Sequence, residues 1–207
     1  MRDLIKKYQD IFFYLQLTNN LTYCKSVLDV GCGNDSPIKN VKKTFKSEGV
    51  DVFAPAIAES KRKKIHDSYK KADLNNLGKY YKDNSFDATV ALDVVEHFTK
   101  KKALKLIASM EKIAAKKIII LTPNGFVKQG EYGDNPYQRH FSGWTKEEFE
   151  RMGYKVYGLR GPKCIRGEYA TIKYKPWILW GLIVFLTEPL FYFWPQASFD
   201  LFAVKEK

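Results

Sequence analysis

Cysteine, methionine and histidine are scarce in this 207-residue chain, at three residues each. The cysteines Cys24, Cys32 and Cys164 form no C-x-x-C pair, which excludes a zinc knuckle and argues against a disulfide framework. Glu96 and His97 are sequence neighbours and would not chelate from one helix face, so no metal is expected. Met1-Arg2-Asp3-Leu4 lacks the apolar core of a signal peptide, and a cytoplasmic location is the expectation. Low-complexity linkers and internal repeats are missing, so residues 1–207 are read as a single domain. Acid is in deficit: 23 Asp and Glu against 35 Lys and Arg leave a net charge of +12. That surplus suits anionic partners. The lysines fall in short runs, such as Lys61-Arg62-Lys63-Lys64 and Lys100-Lys101-Lys102, too short for a nucleic-acid arm. Solvated helix faces account for them, and nucleic acid is disfavoured as a partner.

Alternating periodicities fill the first 125 residues. Leu4, Ile5, Tyr8, Ile11, Phe12 and Leu15 repeat at helical spacing, predicting an amphipathic helix over 3–17 that packs on the domain or forms a lid. Apolar runs predict strands at Ser26–Val30, Glu48–Phe53, Asp67–Lys71, Phe86–Leu92 and Lys117–Leu121. Helices are expected from Pro37 to near Lys46, over Pro55–Ile65 and over Thr99–Ala115. Regular β-α alternation implies a parallel sheet covered by helices on both faces. Farther on, Thr145 and Glu148 are spaced as a capping box for a helix ended by Gly153. Lys155–Leu159 and Phe199–Lys205 complete the strands.

The chemistry concentrates at strand ends. Val27-Leu28-Asp29-Val30-Gly31-Cys32-Gly33-Asn34-Asp35 is a buried strand running into a glycine turn, where Gly31 and Gly33 let backbone approach a ligand. Cys32 reads as a small filler. Asp29 would repel a pyrophosphate but suits a cationic ligand, and position 36 holds Ser36 where a dinucleotide fingerprint has a third glycine. A nicotinamide dehydrogenase is thereby disfavoured, and S-adenosylmethionine, with its sulfonium and ammonium, is favoured. Asp51 follows Asp29 by 22 positions, as suits an acid facing two ribose hydroxyls. Asp73 can accept from an exocyclic amine while Leu74 packs on the ring. Ligands of open α/β sheets bind outside these strand ends.

Val27–Asp35, Gly49–Asp51, Ala72–Leu74 and Phe86–Phe98 together resemble the class I S-adenosylmethionine-dependent methyltransferases of the small ubiquinone-biosynthesis-like type. The resemblance covers roughly residues 25–125. It implies a Rossmann-like α/β fold with a seven-stranded, mostly parallel sheet and an antiparallel last strand. It further implies that Asp29, Gly31, Cys32 and Gly33 hold the methionine part, Asp51 and Val52 the ribose, and Asp73 with Leu74 the adenine. Leu92, Asp93 and His97 would line the methionine side. Asp35 departs from the family, many members of which have a third glycine there.

Acceptor residues are expected after the fifth strand, at Asn124 in Thr122-Pro123-Asn124-Gly125 and at Arg139 and Trp144 in the 129–144 loop. His140 is the candidate general base, because imidazole titrates near neutrality. Trp177–Trp194 is an 18-residue apolar stretch with one charge, Glu188. Pro189 interrupts it, and a seventh strand must return after it, so two short apolar helices are expected rather than a membrane span. They bury in the core or in a homodimer interface, or dip into an anionic leaflet as a peripheral anchor. The chain thus divides into an N-terminal helix or lid (1–24), a Rossmann-like core (25–160), an apolar helical insertion (161–198) and a last strand (199–207). The expected reaction is methyl transfer to a small-molecule or lipid-like acceptor. The rival readings are an RNA or protein methyltransferase, motivated by charge, and a non-catalytic, cofactor-binding scaffold associated with membranes.

Overall fold

The structure, a computed structural model, describes residues 10–42, 44–131 and 135–207. Its frame is one seven-stranded sheet: β1 (Ser26–Val30), β2 (Lys46–Asp51), β3 (Ser68–Lys71), β4 (Phe86–Leu92), β5 (Ala114–Pro123), β6 (Lys155–Pro162) and β7 (Ser198–Glu206). The spatial order is β3-β2-β1-β4-β5-β7-β6. The first five strands run parallel, and β7 lies antiparallel to both β5 and β6. Strand order reverses between β1 and β4, which is where an open α/β sheet forms its crevice.

Period-two alternation sends successive side chains to opposite faces. Leu28, Val30, Ile118 and Ile120 enter one core with Leu106, Met110 and Trp144. Val27, Val90, Ile119 and Leu121 enter the other. That second core is covered by α1 (Ile11–Leu21), which buries Phe13, Leu17 and Leu21. The predicted N-terminal helix is therefore present from Ile11, while its Leu4, Ile5 and Tyr8 lie outside the described residues. The other helices are α2 (Ala54–Arg62), α3 (Lys100–Ile113), α4 (Lys146–Arg151) and α5 (Trp177–Phe193). Thr145 and Glu148 close the expected capping box on α4.

Three local expectations are corrected. The helix predicted from Pro37 to Lys46 is a single 3-10 turn, Pro37–Asn40, because Val41 is already extended. The second strand starts and ends two residues earlier than Glu48–Phe53. The apolar segment is one helix, not two. Gly181, Val184, Glu188 and Phe191 form a continuous buried stripe through Pro189, and such packing outweighs the one main-chain bond that proline removes. Among the described residues, no helix is long and apolar enough to cross a membrane.

Candidate active site

A cavity of about 750 Å³ opens at the carboxyl ends of the central strands, within the range of small-molecule sites, roughly 300–1,000 Å³. One end is the glycine turn. Gly31 and Gly33 have φ of +74° and +56°, left-handed conformations that glycine adopts without strain. A Cβ on Gly31 would stand 2.7 Å from Val94, whereas one on Gly33 would meet nothing within 4 Å. Space for a ligand therefore lies over Gly33.

Asp29 sits behind this turn. It is 1% exposed, and its Oδ2 accepts from the Ser36 hydroxyl and lies 2.9 Å from His66 Nε2. Gly49 makes room, since a Cβ there would stand 2.9 Å from Cys32 Sγ and 3.0 Å from His66 Nδ1. Burial raises the Cys32 thiol pKa, and Asp29 and Asp51 raise it further, so Cys32 is a filler and not a thiolate. At the end of β2, Asp51 accepts from the N–H of Gly33 at 2.9 Å and of Phe53 at 2.8 Å. Burial lifts its carboxyl pKa against those bonds. Asp73 accepts from Asn75 and Asn76 and closes its own turn, with Leu74 buried beside it. Asp29, Asp51, Val52, Asp73 and Leu74 stand outside the cavity wall, whereas Gly31, Cys32, Gly33, Leu92, Asp93 and His97 form part of it.

The opposite end brings His97 and His140 together, with ring centroids 4.8 Å apart. His140 Nδ1 lies 2.7 Å from the Val127 carbonyl and His97 Nδ1 3.2 Å from the Arg139 carbonyl. Burial lowers both imidazole pKa values. The three expected acceptor residues are not brought to the wall. Asn124 turns away, its amide donating to the carbonyls of Pro195, Gln196 and Ser198. Arg139 is exposed above the Phe141 ring. Trp144 is core, stacked on Phe149 under the Lys100 ammonium.

In their place the fold delivers residues that no local pattern marked. Arg160, with φ of +62° at an irregularity of β6, donates to Asp200 at 2.6 Å and lies 3.7 Å from Asp93 and 3.4 Å from Asp10. Burial opposes its charge, but those three carboxylates keep it protonated. Asp10, Asp35 and Asp93 give the wall carboxylates beside Arg160 and Arg166, while burial pushes the Glu96 carboxyl well above the ordinary range and that of Asp200 to about 7. A cavity with these carboxylates, and with an open glycine turn at one end, fits a sulfonium donor carrying an ammonium.

Sheet order, the antiparallel seventh strand and a glycine turn at the switch point define the class I S-adenosylmethionine-dependent methyltransferase fold. Residues 28–119 match the family model described as a methyltransferase domain. An S-adenosylmethionine-dependent methyltransferase from Archaeoglobus fulgidus superposes with a TM-score of 0.63 at 17% identity, covering 100% of this chain and 95% of that one. Magnesium protoporphyrin IX methyltransferase from Synechocystis, solved with S-adenosylmethionine bound, gives 0.54 at 18% identity over 97% and 79%. The uncharacterized protein MJ0638 of Methanocaldococcus jannaschii is 28% identical over 131 residues, which is 63% of this chain and 55% of that protein. Residues 28–119 thus carry the methyltransferase-domain match, and the chain shares its fold with S-adenosylmethionine-dependent methyltransferases of known structure.

Proposed function

We propose that the chain methylates a lipid-like or other amphiphilic small molecule presented at an anionic membrane surface. The observation that carries this reading is a shared wall. Trp177, at the start of α5, lines the same cavity as the glycine turn. From there α5 turns Ile178, Leu182, Leu186 and Leu190 outward at 60%, 52%, 66% and 59% exposure. An apolar face of that extent is costly in water and marks a contact surface. Lys173 and Lys175 precede it, and the net charge is +12, both suited to anionic headgroups. An amphiphile lying along α5 would have its polar end at the cavity mouth.

When bound, S-adenosylmethionine supplies an electrophilic methyl carbon. The chain's work is to hold the acceptor in line with it, exclude water and handle the acceptor's proton. Gly31 and Gly33 admit the donor, the acidic wall favours its cationic end, and Asp29 and Asp51 hold the turn from behind. His140 stands at the acceptor end of the cavity, its Nδ1–H engaged by Val127 and its Nε2 electron pair left for the site's chemistry. His140→Ala is expected to abolish turnover while S-adenosylhomocysteine affinity stays within about twofold. Isothermal titration with S-adenosylhomocysteine tests the donor site. Co-sedimentation with phosphatidylglycerol vesicles tests the surface, and no association would sink the membrane reading.

A further inference from the structure

We propose that Glu96, His97 and His140, with Asp93 beside them, bind one divalent transition-metal ion in the wall of the cavity. The role given to the ion rests on the methyl-transfer reading above, but its binding does not.

The three residues each offer one ligand atom, all within 4.8 Å of one another. An ion held at about 2.0–2.2 Å from nitrogen and oxygen places its donors roughly 3–4 Å apart, so small side-chain rotations close the set. Glu96 is 2% exposed. Its Oε2 accepts from the Thr122 hydroxyl at 2.9 Å, while Oε1 is buried with no hydrogen-bond partner. A buried carboxylate oxygen left without a partner is costly, and a cation at that position would satisfy it.

The histidines are arranged in the same sense. With Nδ1–H of His140 donated to the Val127 carbonyl, Nε2 carries the lone pair. This is how a backbone acceptor fixes the tautomer of a metal-bound imidazole. His97 Nδ1 lies 3.2 Å from the Arg139 carbonyl, and its ring also bonds the Asp93 main chain, a contact that an ion would replace. Main-chain bonds lock the two halves of the cluster together: the N–H groups of Phe141 and Ser142 both donate to the Glu96 carbonyl, at 2.8 and 3.1 Å. Asp93 occupies the left-handed region at φ +57°, a conformation that carries a local cost in a non-glycine residue. Its carboxylate lies on the same cavity wall, 3.7 Å from the Arg160 guanidinium. Two imidazoles with carboxylate suit manganese, iron, cobalt or zinc, whereas calcium and magnesium prefer all-oxygen shells.

An ion here would draw an acceptor hydroxyl and lower its pKa. The hydroxyl proton passes to water, the oxygen bonds to the methyl carbon, and the carbon–sulfur bond breaks to leave S-adenosylhomocysteine. On this account the Nε2 pair of His140 serves the ion rather than the proton.

The test strips the full-length chain with EDTA and titrates it with Co2+, reading visible absorption and heat. S-adenosylhomocysteine is titrated in parallel. One Co2+ per chain is expected, with affinity reduced at least tenfold in His97→Ala and in His140→Ala. Glu96→Gln serves as a third variant where its melting transition shows it folded. Wild type that binds S-adenosylhomocysteine but not Co2+ overturns the ion and leaves the donor site standing. Co2+ binding unchanged in both histidine variants also overturns it, because the ion is then elsewhere. Failure of S-adenosylhomocysteine alone counts against the methyl-transfer reading and not against the ion.

Discussion

Asp51 holds two main-chain N–H groups at once, and one of them belongs to the glycine turn. Asp51→Ala orphans both, and S-adenosylhomocysteine binding is expected to weaken by about 1–3 kcal/mol with the fold retained; titration calorimetry reads this directly. Glu188 behaves differently. Burial raises its carboxyl pKa from the ordinary 4.5 to about 7, against the Arg160 N–H that it accepts and the nearby Arg166. Between those two values the folded chain keeps a proton that the unfolded chain has lost, so stability falls as pH rises through the window. Glu188→Gln removes that dependence. The variant is expected to be more stable than wild type above pH 7, by on the order of 2 kcal/mol, with the gain fading toward pH 4.5. Denaturant melts at pH 5 and pH 8 check the sign. The glycines and acids of the turn were readable because strand, turn and carboxylate are adjacent in the chain. His66, Arg160 and Asp200 were not, since each acquires its meaning from a partner brought up by the fold.

At the level of elements, α5 is both the least ordinary piece and the one most exposed to test. Leu186→Glu and Leu190→Glu stand on its outward face. Together they are expected to cut vesicle association at least fivefold while leaving S-adenosylhomocysteine binding alone. Gly158 of β6 lies beneath the same helix, where a Cβ would stand 2.2 Å from the Phe191 carbonyl and 2.6 Å from Ser198. Gly158→Ala forces the two apart, and a loss of about 1–3 kcal/mol in thermal or denaturant melts is expected. Strand β4 and the α4 capping box were legible to the residue, because period and cap chemistry are local. The unbroken α5 was not: Pro189 argues locally for a break, and only the buried stripe beneath it shows why the helix continues. Trp144 misled for the same reason. An aromatic in a polar loop reads as a ligand contact until the Lys100 ammonium and the Phe149 ring are seen around it.

Taken as a whole molecule, an acid-walled cavity sits in a basic chain. The two signs address different partners, the cavity a cationic donor and the surface an anionic one. Raising the salt is expected to weaken vesicle association by screening surface charge, without releasing it fully, because the α5 contact is apolar. Vesicle sedimentation at about 0.1 M and about 1 M salt separates the two contributions.

The order β5-β7-β6 also sets a timetable for synthesis. β6 emerges from the ribosome before the strand that joins it to the sheet, and it waits with both edges unpaired until β7 follows. Arg160 meanwhile lacks Asp200, its partner across that join. The first five strands can assemble as the chain grows, but the far wall of the cavity closes only when β7 slides between its neighbours. A nascent chain therefore has its donor turn long before it has a finished pocket, and the exposed edge of β6 is the segment that chaperones or premature aggregation would find first.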